Sequence, residues 1–93
     1  MDEVVVNDHA LKHGLTREVV RDAWNHPVAW RLRVLPEGDR IVCVGCTQSG
    51  SLVQMVAVIH PAAVVIIHAL SPPIERILQE LGVKERHRWT KKR

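Results

Sequence analysis

His9 and His13 stand four residues apart, a spacing that places two side chains on one face of a helix. An imidazole has an unperturbed pKa of ~6.5 and can move a proton near neutral pH. The pair could also open a zinc site. However, the intervening Ala10-Leu11-Lys12 lacks the Glu of a zinc-hydrolase helix, and a third ligand would have to come from His60, His68 or a cysteine, which nothing in the sequence demands. Arg31 and Arg33 fall on one face of an alternating stretch, and Arg40 opens the next one. Guanidinium groups clamp phosphates and stabilise charge that builds up during phosphoryl transfer. Histidines plus such cations are what RNA cleavage without metal requires: a group to deprotonate the 2′-hydroxyl, and positive charge around the phosphorus. The arginines have a plainer reading as the solvent coat of a sheet. His68, set in the apolar run Val64–Ile67 and Ala69, reads first as a satisfied core histidine and second as a member of the cluster.

Cys43-Val44-Gly45-Cys46 has thioredoxin spacing, but Thr47-Gln48-Ser49-Gly50 follows, which is a turn and not a helix. On a regular strand residues i and i+3 face opposite ways, so the two thiols read as strand residues rather than a redox or metal pair. No cofactor and no metal is expected.

The charges are uneven. Lys84 to Arg93 hold six of the 13 Lys/Arg and one of the 10 Asp/Glu, a net of +5, leaving the rest of the chain at −2. A basic, flexible tail on a near-neutral body suits attraction to a polyanion. The aromatics are Trp24, Trp30 and Trp89, with no Phe or Tyr. That excludes the aromatic platform of sequence-specific single-strand binders. No segment approaches the ~20 apolar residues of a membrane span, and the acidic Met1-Asp2-Glu3 is unlike a signal peptide. The expectation is a cytoplasmic protein with reduced cysteines and no membrane partner.

These residues must be held by elements with legible signals. Val4–Val6 is an edge strand or an extended lead-in. Asn7 or Asp8 caps a brief helix to about His13, ended by Gly14. Thr16 caps a second helix stapled by Leu15 and Val20, with Val19, Val20, Ala23 and Trp24 on its inner face, and Pro27 stops it. Four strands follow over Val28–Leu35, Arg40–Thr47, Leu52–His60 and Val64–Leu70. They are joined by links too short for parallel crossovers. Ser71 and Pro72-Pro73 start a last helix with the stripe Ile74, Ile77, Leu78 and Leu81, ended by Gly82. The expected fold is α+β: two short N-terminal helices, a four-stranded antiparallel sheet and one C-terminal helix. These form a single domain over residues 1–83, with the tail at 84–93.

The run Asp8-His9-Ala10-Leu11-Lys12-His13-Gly14-Leu15-Thr16, with Val19-Val20 and Ala23, resembles the opening of BrnT-like toxins and of related small RelE-superfamily domains. Arg40 with Val42, Val44-Gly45 and Gly50-Ser51-Leu52-Val53 is similar to that family's "R…hGxTxxGrllxVv" hairpin. Val64-Val65-Ile66-Ile67-His68-Ala69 takes the place of its "hhIISAR" strand. The likeness spans about residues 7 to 80. It implies the ribonuclease toxin of a type II toxin–antitoxin pair, with RNA as substrate and a cognate antitoxin as partner. Lys12, His13 and Arg40 match family positions. His68 departs from the closing arginine, and Pro72-Pro73 replaces the acidic and aromatic residues usual there. The resulting expectation is a metal-independent endoribonuclease with His13, Arg40 and His68 as catalytic residues and Lys12, Arg31 and Arg33 holding substrate. The alternative is a non-catalytic protein- or RNA-binding module of the same fold.

Overall fold

The architecture comes from a computed structural model that describes residues 3–83; the basic tail and Trp89 lie outside the described residues. Five strands, β1 (Glu3–Val6), β2 (Pro27–Arg33), β3 (Arg40–Cys46), β4 (Leu52–Ile59) and β5 (Ala63–Leu70), form one sheet in the order β1-β5-β4-β3-β2. β2 through β5 are an antiparallel meander joined by tight turns, whereas β1 runs parallel to β5, from Glu3↔Ala63 to Val6↔Ile66. Two α-helices cover it, α1 (Arg17–Trp24) and α2 (Glu75–Leu81).

The expected four-stranded antiparallel sheet with three helices is therefore corrected to a five-stranded mixed sheet with two. Three consecutive β-branched valines make Val4–Val6 a competent strand. Its partner is β5, the last strand among the described residues, so the intervening residues supply the long crossover that parallel pairing needs. Short links constrain only strands adjacent in sequence and are silent on this pair. The expected first helix is a single 3₁₀ turn over Asp8–Leu11. Asn7 caps it by accepting the His9 N–H at 2.9 Å, and four residues before the Gly14 turn are too few to propagate a helix.

α1 begins where Thr16 Oγ1 accepts the Val19 N–H at 3.2 Å. It buries Val20 and Ala23 against Cys43, Val53, Met55, Ala57, Ile66 and Ala69, with Leu15, Val19 and Trp24 packed around them. Lacking Phe and Tyr, the core has Met55 as its largest fully buried side chain. Gly45 sets the docking distance: a Cβ there would lie 1.8 Å from the Ala23 carbonyl oxygen. Gly45 therefore serves close packing, not thiol chemistry.

α2 crosses the opposite face, over the buried Val42 and Val44. At its start the Ile74 N–H donates to Gln54 Oε1 on β4 at 2.8 Å, and near its end Glu80 holds Arg33 on β2 at 2.6 Å. The expected Ser71 cap is corrected. Ile74 is the N-cap residue, without a side-chain bond, and the helix proper begins at Glu75. The Ser71 hydroxyl instead donates to the Leu52 carbonyl at 2.7 Å. Gly82, at φ +71°, ends the helix as expected. Among the described residues no helix is long and apolar enough to cross a membrane.

Gly45→Ala should cost about 1–3 kcal/mol, because the new methyl must push α1 off β3. Urea unfolding monitored by circular dichroism checks this, and an unchanged midpoint would contradict the close approach.

Candidate active-site cleft

The β4–β5 ladder holds an irregularity that decides where His68 goes. Val56 pairs with His68 and Ala57 with Ile66, so Ile67 is an extra, bulged residue. Regular alternation from the core residue Ile66 would put His68 on the same inner face and Ala69 outside. The bulge reverses both. Ala69 is fully buried opposite Met55, and His68 turns to the face of Gln54. His68 is thus a half-buried wall residue rather than a core histidine.

β1 ends at Val6, and the 3₁₀ turn then packs beside the upper half of β5, where the Asn7 N–H donates to the Ile66 carbonyl at 2.9 Å. This brings Asn7, His9, Lys12 and His13 next to Ile67 and His68. Together they line an open cleft of about 480 Å³. The His13 and His68 rings meet edge to face, with centroids 5.6 Å apart and planes at 72°. Lys12 and His13 are exposed.

The protonation state of His68 follows from its neighbours. Gln54 is 6% exposed and its amide orientation is determined. The Ile74 N–H is a donor, so the atom it meets is the Gln54 oxygen, and the Gln54 NH₂ therefore faces His68 Nε2 at 3.0 Å. An amide nitrogen only donates, so His68 Nε2 must accept and the ring proton resides on Nδ1. Protonating Nε2 would set one N–H against another. Burial lowers the His68 pKa from its ordinary value near 6.5, and the adjacent His13 lowers it further by disfavouring a second positive charge. His68 is a neutral hydrogen-bond donor through Nδ1, and the exposed His13 ring stands beside it.

Of the residues expected at one site, Lys12, His13 and His68 come together, and Arg31, Arg33 and Arg40 do not join them. The three arginines share the α2 side of β2 and β3. Arg33 faces Arg40 across the hairpin, and Arg31 lies in the row Arg31–Val42–Val56–His68, three strand spacings or ~14 Å from His68. α2, running from Gln54 to Arg33, stands between the two groups. Arg33 is already paired with Glu80.

The cysteines occupy opposite faces of β3, and both are free. Cys43 is buried, which pushes its thiol pKa up to about 12, and Cys46 Sγ donates to the Thr47 carbonyl at 3.5 Å. Among the described residues no three His, Cys, Asp or Glu side chains are grouped to hold a metal. Gln54 is the site residue that sequence reasoning passed over. A single amide in the apolar run Leu52–Ile59 was the available signal, since a buried amide has to find partners. Compared with family models, with curated proteins and with solved structures, the chain matches none of them.

Because the native state resists protonating His68, an unfolded chain binds more protons than the native one once the pH falls below about 6.5. This residue's contribution therefore makes stability rise with pH, with the change lying below about 6.5 and continuing down to the lower native pKa. Chemical denaturation at pH 7.5 and pH 5 should show a loss on the acidic side that is smaller in His68→Gln. Equal losses in both proteins would contradict the assignment.

Proposed function

We propose that the chain is a metal-independent endoribonuclease of the toxin type, acting in the cytoplasm and held in check by a cognate antitoxin. One observation carries the reading: a solvent-facing histidine, a neutral histidine fixed as a donor and a lysine converge on a single open cleft. Two free thiols, one of them buried, accord with a reducing compartment.

In this scheme His13 removes the proton from the 2′-hydroxyl of a ribose seated in the cleft. The 2′-oxygen attacks the adjacent phosphorus, and the bond from phosphorus to the 5′-oxygen breaks. The departing 5′-oxygen takes a proton from water. The products are a 2′,3′-cyclic phosphate and a 5′-hydroxyl end. Lys12 and the His68 Nδ1–H hold the non-bridging oxygens as negative charge builds on them. A histidine kept neutral suits that role, because it donates a hydrogen bond without releasing its proton to the leaving group. Arg31 and Arg40 lie too far off to touch the same phosphate and would meet the RNA backbone several nucleotides away.

Purified protein should cut RNA in the presence of EDTA. His13→Ala should lose ~10²–10⁴-fold in kcat, and Lys12→Ala roughly ten- to a hundredfold in kcat/KM. Arg40→Ala should raise KM while leaving kcat near its original value. Undiminished cleavage by His13→Ala, or activity abolished by EDTA and restored by a divalent ion, would overturn this proposal.

A further inference from the structure

The free edge of β2 carries two chemistries on its two faces. On the α1 side Trp30 is 64% exposed, Leu32 45% and Val34, just past the strand, 75%. α1, only eight residues long, packs mainly on β3, β4 and β1 and leaves much of this side of β2 exposed. Trp30 instead borders an apolar groove of about 250 Å³ shared with Trp24, Pro27, Ile41 and Cys43. On the α2 side the same strand presents Arg31 and Arg33, with Arg40 behind them on β3. Among the described residues Arg33 has a carboxylate partner and Arg31 and Arg40 have none. Pro27 and the register shift before Ala29 blunt only the start of this seven-residue edge strand, and its arginines lie on the α2 face, so the stretch from Trp30 to Arg33 keeps an edge with exposed Trp and Leu beside it.

We propose that β2 docks an extended segment of a partner protein, which adds as a sixth strand with apolar side chains over Trp30 and Leu32 and carboxylates opposite Arg31. Main-chain hydrogen bonds supply the register and alternate side chains the selectivity. Charge decides among the possible occupants. A second copy pairing by a two-fold axis centred on Arg31 or Leu32, within the exposed stretch of β2, would set Arg31 against Arg31 or Arg33 of its mate, and like charges directly opposite each other destabilise a sheet. The chain's own residues 84–93, with a net charge of +5, would be repelled in the same way. An alternating apolar and acidic strand satisfies both faces at once. This surface lies at the opposite sheet edge from the histidine cleft, so it stands whether or not the chain cuts RNA.

The test titrates the full chain with a ~9-residue peptide of alternating valine and glutamate, and with its valine–lysine counterpart. Backbone amide and Trp30 indole shifts are followed by NMR. The valine–glutamate peptide should shift β2 amides and the Trp30 indole, and Trp30→Ala should weaken it by ~10-fold or more. Arg31→Glu should reverse the preference in favour of the lysine peptide. Circular dichroism checks that both variants fold, as expected for exposed positions. Equal binding of the two peptides, or no shift in β2, overturns the proposal. Self-association through β2 in sedimentation, or peptide binding seen only after removal of residues 84–93, overturns it by naming a different occupant.

Discussion

The Gln54 side chain, one buried amide on the central strand β4, ties the two halves of this molecule together. Its oxygen takes the N–H that opens α2, and its nitrogen meets the ring of His68. A buried amide left without partners costs about 1–3 kcal/mol for each unsatisfied group, so both contacts are held at once or neither is secure. The helix that covers Val42 and Val44 and the imidazole that walls the cleft thus share one support. α2 has no fully buried residue of its own, which makes its polar anchors, Gln54 at the start and Arg33–Glu80 near the end, matter more than its apolar stripe.

The cleft also depends on a backbone irregularity. Without the extra residue at Ile67, His68 would enter the core beside Ile66, and no imidazole would face His13. β1 contributes by stopping short: its four residues pair with the first half of β5 and leave the upper edge open for the 3₁₀ turn that brings Lys12 and His13. The site is therefore made by two interruptions of regular pairing, in keeping with the tendency of bulges to sit beside functional groups and re-aim them.

Much of this was readable from residue order. The alternation of Arg31 and Arg33 with Trp30 and Leu32, the Thr16 cap, the Gly82 stop and the opposed faces of Cys43 and Cys46 all follow from local periodicity and turn chemistry, and each appears in the fold. Non-local features were not readable. The β1–β5 pair joins the ends of the meander, and nothing within Val4–Val6 specifies a partner some sixty residues on. The bulge lies in Val64–Leu70, where no Gly marks it, so the apolar run around His68 read first as core. Arg33 looked available for phosphate because Glu80, its partner, is contributed by a helix remote in sequence. The cluster of histidines and arginines expected from the sequence consequently separates into a histidine-lined cleft near one sheet edge and a basic and apolar strand at the other.

The neutral, Nδ1-protonated His68 is the claim on which the cleft's chemistry rests, and long-range ¹H–¹⁵N correlation of the imidazole nitrogens across a pH series measures it directly. The account predicts an Nδ1–H tautomer with an unprotonated Nε2 at neutral pH, a titration below the ordinary histidine range, and a shift of that titration upward when Gln54→Glu places an acceptor opposite Nε2. An Nε2–H tautomer, or a His68 that titrates above the ordinary range in the native protein, would contradict it.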